Sequence, residues 1–260
     1  MASKTRQGTS STALKAFRAL DIVADSSREL STQEVADQLG TDKVTAYRML
    51  TTLEVAGYVV RNPDSKRYGL SYKVVSLSRN LLTDNEVSKL ISDTLHELEE
   101  TTGETMHYSV LEGHEAVLIQ AARGRQLVHV NYKIGDRVQL HCTSIGKALL
   151  AFQDVRFIEH FIAQGLPKRA PKTITDPEQL RRELQKIRAQ GYALDDHEFA
   201  DTMRCIAAPV FQSGGRVHGG ISTPGPDDRF TYEYLEWLSE PMLTASRRLS
   251  QRLGGLPWNE

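Results

Sequence analysis

The apolar positions of this chain change period several times, and each change marks an element. Near the N-terminus Leu14, Phe17, Ala19, Leu20 and Val23 recur at helical spacing and predict a helix over Ser10 to about Asp25. Val35, Ala36 and Leu39 form a second inward face; Ala46, Met49, Leu50 and Leu53 form a third. Tyr58 to Arg61 and Arg67 to Leu70 then read as two strands, joined by the turn residues Asn62-Pro63-Asp64-Ser65-Lys66. Leu70, Val74, Leu77 and Leu81 follow at intervals of four, three and four, a narrow stripe on a further helix that suits pairing between subunits or packing within one.

The punctuation around the second and third faces is specific. Ser31 and Glu34 have the spacing of a capping box, in which each side chain bonds the other residue's backbone amide. Gly40 stands where a left-handed residue ends a helix, and Thr41 is the expected cap of the next one. The polar side of that next helix carries Val44, Thr45, Tyr47, Arg48, Thr51 and Thr52, a mixture able to meet base edges and phosphates. Helix, tight turn, helix and basic hairpin together predict a winged helix-turn-helix. The plainer reading is a three-helix bundle with a hairpin that never touches nucleic acid.

Beyond about Thr83 the pattern is mixed. Val87, Leu90, Ile91, Leu95 and Leu98 predict a helix ending at Gly103. Strands are expected over Met106 to Leu111, Ala116 to Ala121, Leu127 to Tyr132, Cys205 to Phe211 and Arg216 to Ser222. Helices are expected over Ser144 to Phe152, over 154–164, from Asp176-Pro177-Glu178 to Gln190, and over about 228–253 with a kink at Pro241. Tyr232, Tyr234 and Trp237 on the last of these read as core, and Asp195 and Asp196 as loop residues. The fold class is α+β, with a sheet flanked by helices.

At 260 residues the chain has room for two domains. A 40% apolar and 25% charged composition is ordinary for a globular protein. No apolar run approaches the ~20 residues that span a bilayer, and Met1 to Ser11 has no apolar signal core. A cytoplasmic location without membrane association is expected, and Cys142 and Cys205 imply no disulfide framework. The net charge of −1 conceals an asymmetry. The first 71 residues carry 10 basic and 8 acidic side chains of the chain's 32 and 33, leaving 22 and 25 for the rest. The excess gathers on Arg61, Lys66 and Arg67, with Lys4 and Arg6 in an N-terminal arm.

Several groups invite a chemical reading. His141, Cys142, Asp195, Asp196, His197 and Cys205 contain the ingredients of a nucleophilic set, but no Gly-x-Ser-x-Gly elbow is present. Gly146-Lys147 lacks the upstream glycine and the Ser/Thr of a phosphate loop, so Lys147 is expected on an exposed helix face. His107, His114, His129, His141, Cys142 and Cys205 have no recognisable metal-ligand spacing. No catalytic residue, metal or cofactor is expected.

Three groups of segments carry a resemblance across nearly the whole chain. They are Thr45-Ala46-Tyr47-Arg48-Met49-Leu50 with Gly57-Tyr58-Val59, then His141 to Ala148, then Gly191 to Asp196 with Arg204 to Val210 and Gly220-Ile221-Ser222. In these the chain resembles the isocitrate-lyase-regulator (IclR) family of transcription factors. The resemblance implies a winged helix-turn-helix domain (residues 10–71), a linker helix (72–82) and a GAF-like α/β effector-binding domain (83–257). It implies double-stranded operator DNA, a small-molecule effector, and further copies of the chain, as dimer or dimer of dimers, as partners. The DNA-binding residues would be Lys43, Val44, Thr45, Tyr47, Arg48, Lys66 and Arg67. The effector, an organic or aromatic acid, would be held by Ser144, Ile145, Gly146, Asp195, Cys205 and Ser222. Pro224 and Val44 stand where the family usually has serines, so the pocket loses a donor and the groove-facing helix gains an apolar contact. The alternative from another class is an enzyme on the C-terminal domain, with the N-terminal domain as targeting module.

Overall fold

The computed structural model describes residues 9–82, 86–126, 130 and 132–255. The arm residues Lys4 and Arg6, His129 and most of the strand expected over 127–132 lie outside the described residues; Val130 and Tyr132 are not in a strand. The chain divides into two compact units, residues 1–83 and 84–260.

The first unit contains α1 (Ser11–Asp25), α2 (Thr32–Leu39), α3 (Lys43–Val55), β1 (Val59–Arg61), β2 (Tyr68–Leu70) and α4 (Lys73–Leu82). The capping box at α2 is present: the Glu34 amide donates to Ser31 Oγ at 3.3 Å and the Ser31 amide to Glu34 Oε2 at 2.7 Å. Gly40 ends α2 at φ 64°, where a side chain would be strained. α3 begins one residue later than expected. Its cap is Asp42, not Thr41, because the Asp42 carboxylate takes both the Thr45 amide (2.8 Å) and the Thr45 hydroxyl (2.7 Å) and its charge suits the helix start. Val23, Leu30, Val35, Leu50, Val59 and Tyr68 form one buried cluster. Leu30 exchanges backbone hydrogen bonds with Tyr68 and ties the hairpin to the helices. Leu70 pairs with Val59 in the hairpin, so the apolar stripe read from Leu70 onward does not start on the linker helix.

The second unit runs α5 (Glu86–Thr102), β3 (Met106–Glu112), β4 (Glu115–Ala122), β5 (Arg137–Gln139), α6 (Ser144–Ala151), α7 (Val155–Ala163), α8 (Pro177–Gln190), β6 (Ala193–Asp196), β7 (Met203–Gln212), β8 (Arg216–Pro226) and α9 (Tyr232–Arg252). Its strands form one antiparallel sheet in the order β5-β4-β3-β8-β7-β6. Alternation along the strands serves two cores. Ala207 faces the cluster under α6, α7 and α8, whereas Ala208 faces Leu95, Met242 and Leu249 on α5 and α9. α9 continues through Pro241, and Tyr232 and Trp237 on it are exposed rather than core. Among the described residues no helix is long and apolar enough to cross a membrane. The α+β class is as expected.

Two strands, β5 and β6, are absent from the sequence reading. β6 contains Asp195 and Asp196, which read as loop residues. Aspartate disfavours strands, but pairing of Asp195 with Cys205 and Asp196 with Arg204 imposes one at the sheet edge.

Candidate functional site

On the first unit, the outer face of α3 meets solvent. Val44 is 70% exposed and Tyr47 45% exposed, an uncommon position for such apolar surface unless a partner covers it. Lys43 and Arg48 are exposed on the same helix, and neither has an acidic partner among the described residues. The Thr45 hydroxyl is committed to Asp42 as donor and offers only its lone pairs. Arg67 is half-buried, because Glu34 Oε2 at 2.9 Å and the Glu29 carbonyl at 3.1 Å hold its guanidinium. Lys66 sits at φ 57° at the end of the turn, its ammonium donating to the Pro63 carbonyl. Arg61, counted in the basic wing but not among the residues named for DNA binding, lines an open groove with Ser31, Thr32, Gln33, Lys43, Val44 and Tyr47. The signal for it was its place beside Lys66 on the wing.

On the second unit, a small cavity, partly open to solvent, lies between the sheet and the start of α6. Ser144, Ile145, Asp195, Cys205 and Ser222 all line it. Gly146 does not. Its amide is taken by Thr143 Oγ1 at 3.0 Å, and a Cβ there would lie 2.4 Å from the Gln139 carbonyl oxygen. Its role is close packing of α6 on the preceding loop. The amides of Ser144 and Ile145, the first two of α6, have no acceptor among the described residues and point from the positive end of the helix. Pro224 lines the cavity, as do His107, Ser109 and Tyr132.

Adjacent carboxyls on β6 have opposite fates because a strand alternates its faces. Asp195 turns inward and is 1% exposed; burial pushes its pKa up to about 7, although Oδ1 accepts the Glu198 amide at 2.8 Å. For Asp196 partial burial is outweighed by hydrogen bonds from Lys172 (2.8 Å), Arg204 (2.7 Å) and Tyr232 (2.9 Å), which hold it well below the usual carboxylate range. Lys147, expected on an exposed face, is fully buried between Glu198 and Glu183. One apolar-looking helix that is buried all round leaves no exposed face for it.

Burial pushes the Cys142 thiol up to about 12 and raises Cys205 well above the ordinary thiol value, so neither is an accessible thiolate at neutral pH. His141 Nε2 bonds the Pro167 carbonyl at 2.9 Å, and His197 pairs with Asp196 and Asp227. Among the described residues no cysteine is hydrogen-bonded to a histidine base, and no group of three or more metal-ligating side chains is arranged to hold an ion.

Residues 12–63 match the family described as the IclR helix-turn-helix domain, and residues 79–251 match the bacterial transcriptional regulator IclR C-terminal domain. The chain belongs to the IclR family. It is 32% identical to the HTH-type transcriptional regulator KdgR of Escherichia coli over 94% of this chain and 93% of that protein. The crystal structure of Thermotoga maritima IclR superposes with a TM-score of 0.77, at 32% identity, covering 94% of this chain and 98% of that one. An IclR homolog from Microbacterium hydrocarbonoxydans, solved in complex with 4-hydroxybenzoate, shares the fold at 22% identity, a TM-score of 0.75, and coverage of 93% and 100%. This IclR-family protein is a DNA-binding transcriptional regulator with a ligand-binding C-terminal domain, and the proteins it is similar to are named as transcriptional regulators and repressors.

Proposed function

We propose that this regulator reads its operator through the outer face of α3, with Lys43, Val44, Thr45, Tyr47 and Arg48 in the major groove and Lys66 and Arg61 on phosphate, and that a small carboxylic acid bound under α6 controls that binding. Arg67 acts indirectly, by bracing the wing against Glu34. The chain works as a homodimer or dimer of dimers in the cytoplasm, with half-sites about 34 Å apart. Exposed Phe17, Tyr72, Val75 and Leu77 on the first unit support self-association. Residues 10–71 bind DNA, 72–82 connect, and 83–257 sense.

The observation that carries the reading is the cavity itself. Ser144, Ile145, Asp195, Cys205 and Ser222 converge on one space, beside two amides free to receive a carboxylate. An acid there alters DNA binding only to the extent that it prefers one conformation of the protein over another.

Fluorescence anisotropy of the purified protein on its own promoter fragment tests this. Addition of small monocarboxylic acids is expected to change operator affinity, and Ser222→Ala to weaken that response without changing affinity in the acid's absence. A response to acids that Ser222→Ala, Asp195→Asn and Cys205→Ala all leave intact would move the sensing site elsewhere. Sedimentation at micromolar concentration reads the oligomeric state; a monomer would end the half-site model.

A further inference from the structure

The turn between β3 and β4 meets one face of α7 in a cluster that the effector cavity does not use. Phe157, His160, Phe161 and Gln164 are spaced so that all four lie on the same side of α7 and its C-cap. His114, in the β3–β4 turn, packs onto that side. Its ring centroid lies 5.4 Å from that of His160, 5.5 Å from Phe157 and 6.1 Å from Phe161. The Gln164 side-chain amide donates to His114 Nε2 at 3.4 Å. None of these residues lines the cavity.

Spacing, order and charge in this cluster suit a divalent transition-metal ion, for which imidazole nitrogen is a favoured ligand. With Zn–N bonds of ~2.0–2.1 Å and near-tetrahedral angles, two imidazoles on one zinc ion keep their centroids roughly 5–5.5 Å apart. The 5.4 Å between His114 and His160 falls there. Both phenylalanines meet the His114 ring edge-on, with interplanar angles of 67° and 70°, so packing fixes the ring before an ion arrives. Little side-chain freedom is then left to lose on binding. The contact with Gln164 directs Nε2 toward α7. His160 is exposed and free to turn a ring nitrogen toward the same place. Gln164 caps the C-terminal end of α7, where the helix dipole favours a cation. Glu112 and Glu115 flank His114 in the chain and share a single arginine, Arg137, which leaves one negative charge in excess beside the turn.

We infer that His114 and His160 form a binding site for a divalent transition-metal ion such as zinc, separate from the effector cavity. Gln164 turns its amide aside to admit the ion, and water completes the shell. Two rings supply about half the binding free energy of a four-ligand site, which places the zinc affinity at roughly 1–200 µM and makes binding reversible. Bound there, the ion fastens the β3–β4 turn to α7 and stabilises the folded second unit.

Titration of the full-length protein with zinc chloride, read by competition with a chromophoric chelator and by thermal denaturation, tests the assignment. Wild type is expected to bind zinc in that range and to gain in Tm as zinc is added. His160→Ala, a change on an exposed side chain, is expected to weaken zinc binding roughly tenfold or more and to abolish the Tm gain, with the metal-free Tm unchanged. His114→Gln is expected to weaken binding to the same degree. Gln164→Glu sets a carboxylate beside the two rings and is expected to tighten zinc about tenfold. Cobalt(II) in place of zinc is expected to show ligand-field absorption without a thiolate charge-transfer band, which distinguishes this site from Cys142 and Cys205. Zinc affinity unchanged in either histidine variant, a thiolate band with cobalt, or no binding at about 1 mM zinc would overturn the inference.

Discussion

Replacing Asp195 by asparagine is expected to stabilise the protein at alkaline pH and to give no gain at acid pH. The carboxyl lies at its ordinary 3.8 in the unfolded chain and at about 7 in the fold, where burial disfavours the charged form. Because the folded value is the higher one, its favourable contribution is complete below pH 3.8 and is lost as pH rises through 7. That interval corresponds to about 4 kcal/mol of lost stability above pH 7. Asparagine keeps an oxygen that can accept the Glu198 amide, as Oδ1 does now at 2.8 Å, but carries no charge at any pH. Its buried NH₂ needs a partner of its own, which offsets part of the gain. A net stabilisation of about 2–4 kcal/mol at pH 8 follows, or on the order of 5–15 °C in Tm for a unit of this size. Thermal denaturation of wild type and Asp195→Asn between pH 4 and pH 8 is the assay. The variant should lie level with wild type or up to about 2 kcal/mol below it near pH 4, and rise above it progressively toward pH 8. A constant offset across the range, or a wild-type advantage at pH 8, would refute the assignment of Asp195 as a carboxyl strained by burial.

Lys147→Met should cost about 3–5 kcal/mol in urea denaturation, because it leaves Glu198 and Glu183 without their shared cation, and adding Glu198→Leu should recover much of that loss. Equal losses in the single and double variants would show that the ion pair is not what matters there. Gly146→Ala sets a helix-propensity gain of ~1 kcal/mol against a Cβ placed 2.4 Å from a backbone oxygen; the clash should win, for a net loss of about 1–3 kcal/mol, and a neutral result would disprove the close approach. Arg48→Ala should weaken binding to the operator by about 1–3 kcal/mol, while Lys43→Ala should lower affinity for all DNA and reduce the salt slope by about one. Gel shifts at several salt concentrations distinguish the two, and unchanged binding in both would remove α3 from the interface.

Sequence alone was enough wherever local chemistry decides. The capping box at Ser31, the glycine at Gly40, the Asp176 start of α8 and the 3.6-residue faces of α2 and α3 depend on residues a few positions apart, so their signals lie side by side in the chain. The same is true of the turn at Asn62, whose Oδ1 accepts the Asp64 and Ser65 amides. The family resemblance supplied five of the six residues named for the pocket that do line the cavity, and composition alone would not have found them.

Tertiary structure decided what depends on distant neighbours. β6 is a strand only because β7 pairs with it, and that pairing turns Asp195 inward and Asp196 outward, giving two like side chains opposite pKa shifts. Lys147 is buried because Glu198, 51 positions on, and Glu183 on α8 neutralise it. Arg67 is held by Glu34, 33 positions earlier, and His107 enters the pocket because β3 lies beside β8. Periodicity and capping are read along the chain; burial and charge pairing are settled across it, where a residue's surroundings are set by segments its own neighbourhood does not encode.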